Sequence, residues 1–401
     1  MRVIDLFAGC GGLSLGLQQA GHEIVAAFEI DKFAGDTYER NHPAVSLVRR
    51  DIRELSSRYF AREFAGLVDL VAGGPPCQGF SVSGKRQYGI FSSQNELVFE
   101  FMRVVGALQP RLVLMENVGG FRTARINTKK PALAAVKRSL EDLGYHVYAS
   151  VLQAADFGVP QYRTRIFIVG SRDALYVSPF PAPTHSRTGV LTPRHLSVLD
   201  AISDLPQIGA GRGTEELQPY PGPPLTPFQT ILRLGSEGIA NHVAMKHSSE
   251  IIRRFASIPP GGSGYNIGRS RHADNETVTV YKMNNQRLRG DLPSLCITAN
   301  FQSNYVHPVL DRNLTAREAA RIMSFPDSFV LKGKRTLMSS SLLKAEGRHE
   351  ENHLSQYNQI GNAVPPLLAK KLGVQIAIAE NPRSQEFTLG ASETPVQPSL
   401  F

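Results

Sequence analysis

The stretch VIDLFAGCGGLSLGLQQAG, residues 3–21, decides how the chain begins to fold. Its first five residues form an apolar run of the length of a short buried strand, and a glycine-rich turn follows. Leu13, Leu17 and Ala20 then recur at helical spacing. Gly21 is placed to end that helix. The stretch therefore predicts a strand, a glycine turn and a helix, which together are the first unit of a doubly wound, mostly parallel α/β sheet.

The glycine turn and two later carboxylates predict a nucleotide-like cofactor. Gly9 and Gly11 let the backbone approach a ligand closely, and the free amides of the following helix suit a phosphate or a carboxylate. A dinucleotide fingerprint is only partly present, because Ser14 stands where its third glycine would fall. Glu29, at the end of the next strand, is placed to accept hydrogen bonds from two ribose hydroxyls. Asp51, after the third strand, is placed to accept one from an adenine amino group.

A single cysteine stands at the tip of a rigid turn. Residues 71–81 read VAGGPPCQGFS, so that a buried-type strand ends in two glycines and two prolines before Cys77. A structural cysteine normally packs inside an apolar run as a small hydrophobe. Cys77 instead follows the carboxyl end of a strand, where doubly wound sheets bind their ligands, and we predict that it is a nucleophile.

A carboxyl group and two guanidinium groups are expected at the same edge of the sheet. The apolar strand at 111–115 runs directly into Glu116. The stretch QYRTR at 161–165 leads into another apolar strand. Within that stretch Arg163 and Arg165 are two positions apart, so they are expected to share one face. A thiol, a carboxyl and guanidinium groups therefore converge, which is a set suited to nucleophilic catalysis.

The order of these motifs resembles that of the DNA (cytosine-5-)-methyltransferases of bacterial restriction-modification systems. The cysteine turn, the Glu-Asn-Val stretch at 116–118 and QYRTR occur here in the order found in that family. The resemblance resumes in REAARIMSFPD at 317–327 and in QIGNAVPP at 359–366. It covers roughly residues 1–375, and only the stretch from about 175 to 285 lacks a close family pattern.

The resemblance implies methyl transfer to C5 of cytosine, and these side chains suit that chemistry. C5 of cytosine is a poor nucleophile, and addition of a Cys77 thiolate at C6 would make it reactive toward an electrophilic methyl group. Thiols are mostly neutral near pH 7, so positive charge from Arg163 and Arg165 would favour the thiolate. By the resemblance, protonated Glu116 donates toward N3 of the ring and Arg165 holds the O2 edge.

The resemblance also implies S-adenosylmethionine as the methyl donor. The positions that match the family's cofactor-binding residues are Phe7, Gly9, Gly11, Glu29, Ile30, Asp51, Ile52, Pro76, Leu97, Asn362 and Val364. Ile30 departs from the pattern, since some relatives place an aromatic ring there against the adenine. A branched aliphatic side chain supplies apolar contact without stacking. Cys10, in the same turn, is interpreted as a small spacer rather than a second nucleophile.

The composition agrees with a polyanionic partner. The 401 residues are 42% hydrophobic and 20% charged, enough for two domains with separate cores. The net charge of +9, from 44 basic and 35 acidic residues, favours double-stranded DNA because neutralised phosphates release counterions. Three widely spaced cysteines predict neither a metal site nor a disulfide framework, and they favour a reducing cytoplasm. No segment has signal-peptide character or the length of a membrane helix, so no membrane partner is expected.

The chain is expected to form two domains. Residues 1–175 are predicted to be the catalytic and cofactor-binding domain, and residues 176–345 a smaller, irregular DNA-recognition domain. Residues 355–380 are expected to return as a helix to the catalytic domain, and residues 381–401 to form a disordered tail. The polar stretch 81–93 is a candidate mobile lid over an extruded base. The candidate phosphate contacts are Arg253, Arg254, Arg269, Arg271 and residues 282–289.

Three alternatives stay open at this point. A nucleotide-dependent dehydrogenase would explain the glycine turn and Glu29, but not the cysteine turn or the later motifs. An RNA cytosine-5 methyltransferase would use the same chemistry, although its best-known relatives carry a Cys-Phe-Thr segment that is absent here. A catalytically silent DNA-binding homologue is disfavoured by the presence of Cys77, Glu116 and Arg165. One active site per chain requires no protein partner, and a cognate restriction endonuclease encoded nearby would be consistent with the resemblance.

Overall fold

The computed structural model describes residues 1–76, 96–123, 131–264, 285–299, 301–336, 343, 345–348 and 351–381. Cys77, the lid predicted at 81–93, Arg269, Arg271, residues 282–284 and the predicted tail from 382 onward lie outside the described residues.

A seven-stranded sheet forms the first part of the chain. Its strands are β1 (Arg2–Leu6), β2 (Glu23–Phe28), β3 (Ser46–Val48), β4 (Leu70–Gly73), β5 (Leu112–Val118), β6 (His146–Gln153) and β7 (Thr164–Ser171). They lie in the order β3-β2-β1-β4-β5-β7-β6. The first five strands pair in parallel, whereas β7 runs antiparallel to both β5 and β6. The predicted doubly wound, mostly parallel, Rossmann-like fold is confirmed.

Helices connect the strands and cover both faces of the sheet. They are α1 (Gly12–Gln19), α2 (Lys32–Asn41), α3 (Ser57–Phe64), α4 (Glu96–Leu108) and α5 (Ala132–Asp142). Two buried apolar clusters, built around strand residues whose side chains alternate between the faces, fill the space between helices and sheet. The carboxyl ends of β1, β2, β4 and β5 therefore meet at one edge, which is where ligands of such sheets bind.

Two strand boundaries differ from those predicted, and both differences affect this edge. Phe7 was predicted to end β1, but it lies just beyond the strand with a φ of 60°. The backbone thus turns one residue earlier than the apolar run indicated. At the other boundary, Glu116 was predicted to follow β5, but the strand continues through Val118 because it pairs with β7 over that whole length. Glu116 is consequently held by a paired strand and not by a loop.

Short elements with irregular connections make up the region from 176 onward, as predicted. They are α6 (Val198–Ile202), β8 (Gly213–Thr214), α7 (Pro227–Arg233), β9 (His242–Val243), α8 (Ser249–Ala256), β10 (Gln286–Arg287), β11 (Tyr305–Val306) and α9 (Ala316–Ile322). Helix α9 begins after Thr315, whose side chain forms a capping box with Glu318. Buried ion pairs of Arg321 with Asp204 and Asp327 tie α9 to the rest of this region. The division into two domains stays a prediction.

Arg287, one of the candidate phosphate contacts, turns inward. Its side chain is buried and donates hydrogen bonds to the carbonyl oxygens of Phe255 at 2.6 Å and Ile258 at 2.7 Å, and it pairs with Asp311. The prediction for this residue was wrong, because a basic run in sequence does not distinguish solvated side chains from buried ones. Arg253 and Arg254 lie on α8, as a phosphate-contact role would allow.

The C-terminal part returns to the sheet as two helices, where one was predicted. These are α10 (Gln356–Asn362) and α11 (Pro366–Glu380), separated by a three-residue link. Pro366 begins α11 because proline suits the first turn of a helix but disfavours a helical residue before it. Helix α11 packs directly on α1. Among the residues that the structure describes, no helix is long and apolar enough to cross a membrane.

Candidate active site

Glu116 and Arg165 form an ion pair at the carboxyl edge of the sheet. The Arg165 Nε lies 3.0 Å from Oε1 of Glu116, and both side chains are nearly buried, with about a tenth of their surface exposed (12% and 11%). The antiparallel direction of β7 explains the contact. It places the start of β7 beside the end of β5, with Arg165 opposite Val118. The predicted meeting of a carboxyl and a guanidinium is therefore present.

Burial raises the pKa of Glu116, although Arg165 and Arg163 act in the opposite direction. Removal from water disfavours the charged carboxylate, while the neighbouring guanidinium groups favour it. The net result is a carboxyl group that holds a proton to a higher pH than an exposed glutamic acid does. Such a group is suited to donate a hydrogen bond or a proton to a base.

The chain leaving β4 lies against this carboxyl group. A β-carbon added to Gly74 would stand 3.1 Å from Oε2 of Glu116, so little besides glycine fits there without displacing the carboxyl. The Asn117 side-chain amide donates to the carbonyl oxygen of Pro75 at 3.1 Å. The turn that carries Cys77 in sequence thus departs from the immediate neighbourhood of Glu116.

Arg163 lies near Arg165 but has different partners. It is 1% exposed, and its two terminal nitrogens donate to the carbonyl oxygens of Ile297 at 2.7 Å, Gly361 at 2.9 Å and Ala363 at 2.9 Å. Burial, together with the charge of Arg165, lowers the pKa of Arg163 to about 10. The side chain therefore remains charged at neutral pH while its terminal donors bind backbone.

The glycine turn and Glu29 form one hydrogen-bonded unit. Glu29 accepts from the Gly9 amide at 2.8 Å with one oxygen and from the Asp31 amide at 2.8 Å with the other. Burial raises its pKa. Gly9 has a φ of 56°, and a β-carbon there would meet nothing within 4 Å, so open space borders the turn. Ile30, directly after Glu29, is 64% exposed, so its apolar side chain reaches solvent.

The other predicted cofactor contacts fall into two groups. Ile52 and Val364 are buried, and Phe7 and Leu97 pack against the same apolar cluster as Ile52. Asp51 and Asn362 reach solvent, and Pro76 is half-buried after β4. Asp51 pairs with Arg53, with the Arg53 Nε 3.0 Å from Oδ1, and this partner lowers the pKa of Asp51. Gly11 has a φ of 96° and lies against His42.

A buried polar network beneath the glycine turn was not predicted from the sequence. Asp5, 1% exposed, accepts a hydrogen bond from the Ser14 hydroxyl at 2.6 Å, and Ser14 contacts the Tyr38 hydroxyl at 2.8 Å. Burial raises the pKa of Asp5 to about 7. Ser14, at the position of the missing third glycine, was the available signal, but nothing in the sequence indicated its partners. Burial also raises the pKa of Cys10 to about 12, as expected for an unreactive spacer.

These features define a class of protein. A Rossmann-like sheet carries a nucleotide-type turn after β1, an acidic residue after β2 and a carboxyl–guanidinium pair at the end of β5. All of them lie at the edge where α/β enzymes of this architecture bind their ligands, so the class is that of the Rossmann-like α/β enzymes.

Known proteins resemble this chain along nearly its whole length. A model of the family "C-5 cytosine-specific DNA methylase" matches residues 1–377. The Type II methyltransferase M.DdeI of Desulfomicrobium norvegicum is 39% identical over 94% of this chain and 88% of its own. The Type II methyltransferase M1.HphI of Haemophilus parahaemolyticus is 35% identical over 93% and 85%. The crystal structure of a proposed DNA modification methyltransferase from an E. coli prophage superimposes with a TM-score of 0.68 at 25% identity, covering 95% of this chain and 99% of that one.

The chain therefore belongs to the C-5 cytosine-specific DNA methylase family, and it is a DNA cytosine methyltransferase. The predicted family resemblance and enzyme class are confirmed. The dehydrogenase alternative is excluded by the family match.

Proposed function

We propose that this protein transfers a methyl group from S-adenosylmethionine to C5 of a cytosine that is rotated out of a specific double-stranded DNA sequence. The observation that carries the proposal is the buried Glu116–Arg165 pair at the carboxyl edge of the sheet, directly beside the turn that leads to Cys77. A proton donor and a fixed cation are what a cytosine ring needs when a nucleophile adds to it.

The residues around the glycine turn fit S-adenosylmethionine. Open space beside Gly9 leaves room for close approach, and Glu29 has lone pairs left for ribose hydroxyls after accepting two backbone amides. Exposed Ile30 offers an apolar surface to an adenine ring. When bound, this cofactor would supply an electrophilic methyl group. Asp51, Asn362 and the apolar positions Phe7, Ile52, Pro76, Leu97 and Val364 complete the proposed pocket.

Each catalytic side chain has a defined role in this proposal. The Cys77 thiolate forms a bond to C6 of cytosine, and the electron pair of the C5–C6 double bond moves toward N3, where protonated Glu116 donates. Arg165, fixed beside Glu116, holds the O2 edge of the ring. C5 then carries the electron density that would attack the methyl group of the cofactor, whose methyl–sulfur bond would break to leave a neutral thioether. Loss of the C5 proton to a base, return of the N3 proton to Glu116 and departure of the Cys77 sulfur restore the aromatic ring.

Both guanidinium groups add positive charge to the site. Arg163 and Arg165 each favour the ionised form of Glu116, so the positive charge of both side chains is felt at the Glu116 carboxyl group. Cys77 is three residues beyond Gly74, whose position abuts Glu116. The same positive charge is expected to favour the thiolate of Cys77.

The region from 176 to 345 is proposed to hold the DNA while the base rotates out. Rotation costs a few kcal/mol, which phosphate and groove contacts must offset. Arg253 and Arg254 in the last turn of α8 are candidates for such contacts. Because its relatives M.DdeI and M1.HphI are named Type II methyltransferases, we place this enzyme in a restriction-modification system.

Bisulfite sequencing of DNA from cells that express the chain tests the proposal. Wild-type protein should protect cytosines within one short sequence word, and Cys77→Ser should protect none although it still binds DNA. Cys296→Ser is the matched control, because it removes a half-buried thiol 3.7 Å from Arg163 and leaves a hydroxyl that can accept the same hydrogen bond, so methylation should stay intact. Methylation that persists in Cys77→Ser would refute the nucleophile. New 5-methylcytosine in RNA but not in DNA would favour the RNA alternative.

A further inference from the structure

The side chain of Arg163 joins the cofactor side of the site to the base side. Resting on the function proposed above, we propose that Arg163 is a positioning residue that holds the backbone on both sides of Asn362 against the start of β7. It would act through this backbone and not by touching the cytosine or the methyl donor.

The first step of the argument is the pattern of its hydrogen bonds. One terminal nitrogen of Arg163 bonds to the carbonyl oxygens of Gly361 and Ala363, each at 2.9 Å. The peptide plane that precedes Asn362 and the one that follows Ala363 are therefore bonded to the same guanidinium group. Asn362 itself is exposed, as a side chain that contacts a ligand must be.

The end of α10 explains why a cation is needed here. The last four carbonyl groups of a helix have no partner within the helix, and they carry its partial negative charge. Gly361 lies in the last turn of α10, and Ala363 is the residue that caps it. Arg163 supplies donors to both, and it remains charged within the protein interior. Without it, the buried carbonyl group of Gly361 and the partly buried one of Ala363 would lose charge-assisted hydrogen bonds.

Close packing holds the same segment from its other side. A β-carbon on Gly361 would stand 2.3 Å from the backbone of Thr298, and the Asn358 side chain donates to the carbonyl oxygen of Ala299 at 2.7 Å. The remaining terminal nitrogen of Arg163 bonds to the carbonyl oxygen of Ile297. The segment at 361–363 is thus enclosed between residues 297–299 and Arg163.

The backbone of Arg163 is close in sequence to the residue that pairs with Glu116, the proposed acid. It lies two residues before Arg165, which is paired with Glu116. Gln161, two residues before Arg163, is itself anchored, since its side-chain oxygen accepts from the Ile297 amide at 2.9 Å. A displacement of the guanidinium group would consequently loosen 361–363 while leaving the Glu116–Arg165 pair in place. This predicts an effect on the methyl donor that exceeds the effect on DNA.

Arg163→Lys separates this role from a direct electrostatic one. Lysine keeps the charge, but its single ammonium group lacks the planar fork that reaches three carbonyl groups. We expect the KM for S-adenosylmethionine to rise by about tenfold, the order expected for loss of one charge-assisted hydrogen bond. The KM for DNA should change by less than about twofold, and the pH–rate profile should not shift. An unchanged KM for the methyl donor, with a lower kcat, would overturn the proposal.

Arg172→Lys is the matched control at the opposite end of β7. Arg172 also donates to a carbonyl oxygen, that of Leu143 at 2.8 Å, and its guanidinium carbon lies 4.3 Å from the centre of the Tyr145 ring. Its replacement should lower stability to a similar degree and leave the KM for S-adenosylmethionine unchanged. A rise equal to that of Arg163→Lys would mean that the effect is one of general stability, and would overturn the proposal.

Hydrogen–deuterium exchange tests the clamp without any reaction. In Arg163→Lys protein free of ligands, peptides that cover 356–366 should exchange faster than in the wild type, and in Arg172→Lys they should not. If Arg163→Lys does not fold, Arg163→Gln gives the same test, because it keeps one terminal donor but loses the charge and the planar fork. Unaltered exchange at 356–366 in the folded variant would overturn the clamp. Absence of methylation by the wild type would instead overturn the proposed function and leave this result standing.

Discussion

Glu116 illustrates how one side chain acquires a reactive character from its position. Its carboxyl group is buried, which raises its pKa, while the adjacent Arg165 limits that rise. A glutamic acid in this position holds its proton at a pH where a solvated one does not. The same pair can therefore donate to N3 and fix O2 of a cytosine, as the proposed mechanism requires.

Glu116→Gln should lower the rate of methyl transfer by on the order of 10²–10³-fold, because the amide can form a hydrogen bond but cannot deliver a proton. The wild-type rate should fall as pH rises through the raised pKa of Glu116, since only the protonated form is active. The residual rate of Glu116→Gln should not show this fall with rising pH. Single-turnover measurements at saturating cofactor, from pH 5 to pH 9, provide the comparison.

Glu63→Gln serves as the control for that substitution, because Glu63 lies on the exposed side of α3 and pairs with the neighbouring Arg62. Its pH–rate profile should coincide with that of the wild type. If Glu116→Gln lowered cofactor affinity and left the single-turnover rate unchanged, the role of Glu116 at N3 would be wrong.

Asp5 should make the stability of the protein depend on pH. Its folded-state pKa of about 7 lies above the ordinary value, so the folded protein binds more protons than the unfolded chain between about pH 4 and 7. The free energy of unfolding should therefore decrease as pH rises through this window. Asp5→Asn removes this pH dependence. The free energy of unfolding of the variant minus that of the wild type should therefore be higher at pH 8 than at pH 5 by on the order of 2–4 kcal/mol. Urea unfolding at both pH values measures this difference, and an unchanged difference would contradict the assignment.

At the scale of elements, the contact between α1 and α11 positions one wall of the proposed cofactor pocket. A β-carbon on Gly16 would stand 2.3 Å from that of Ala369 and 2.4 Å from the carbonyl oxygen of Pro366. A β-carbon on Gly12, one turn earlier, would likewise stand 2.4 Å from the carbonyl oxygen of Val364. These two glycines let the backbones of the two helices approach each other, and so they locate Val364 beside the turn that Gly9 opens.

Gly16→Ala should destabilise the protein by about 1–3 kcal/mol, because the added methyl group must push α11 away from α1. Helix propensity alone favours alanine over glycine, so the packing effect determines the sign. Gly106→Ala on α4 is the matched control. Its β-carbon would meet Leu143 at an ordinary 3.7 Å, and the substitution should stabilise by about 0.5–1 kcal/mol. Urea unfolding of both variants provides the test, and equal signs would contradict this account of the interface.

Much of the sheet and its edge could be predicted from the sequence. The apolar runs and glycine turns located β1, β4, β5 and β7 to within a few residues, since buried strands require such runs. Glu116 and Arg165 could be placed at one edge for the same reason. Their contact depends on the antiparallel direction of β7, which no local pattern encodes. The family and enzyme class followed from motif order, which the comparisons confirm.

The parts that could not be predicted depend on distant contacts. The partners of Arg163 lie more than a hundred residues away, at Ile297, Gly361 and Ala363. The inward turn of Arg287 likewise depends on carbonyl groups brought close by the fold. Local periodicity reports which residues are apolar, but it does not report which buried carbonyl groups need a donor. The roles of Cys77 and of the cofactor residues stay proposals.

At the scale of the whole molecule, one sheet edge collects contributions from widely separated parts of the chain. The glycine turn and Glu29 come from the first thirty residues, Glu116 and Arg165 from the middle, and Asn362 from the C-terminal part. The net charge of +9 suits a DNA methyltransferase, because its substrate is a polyanion. The arrangement explains why the family match extends over residues 1–377 and not over one short motif.

Trapping on DNA that contains 5-fluorocytosine in the target word tests the central claim most directly. Fluorine at C5 cannot leave as the proton does, so an adduct formed before methyl transfer should persist. With S-adenosylmethionine present, peptide mapping should find the target nucleotide bound to the sulfur of Cys77, and Cys77→Ser should give no adduct. An enzyme that methylates ordinary cytosine but yields no adduct, or one bound at another residue, would contradict the account.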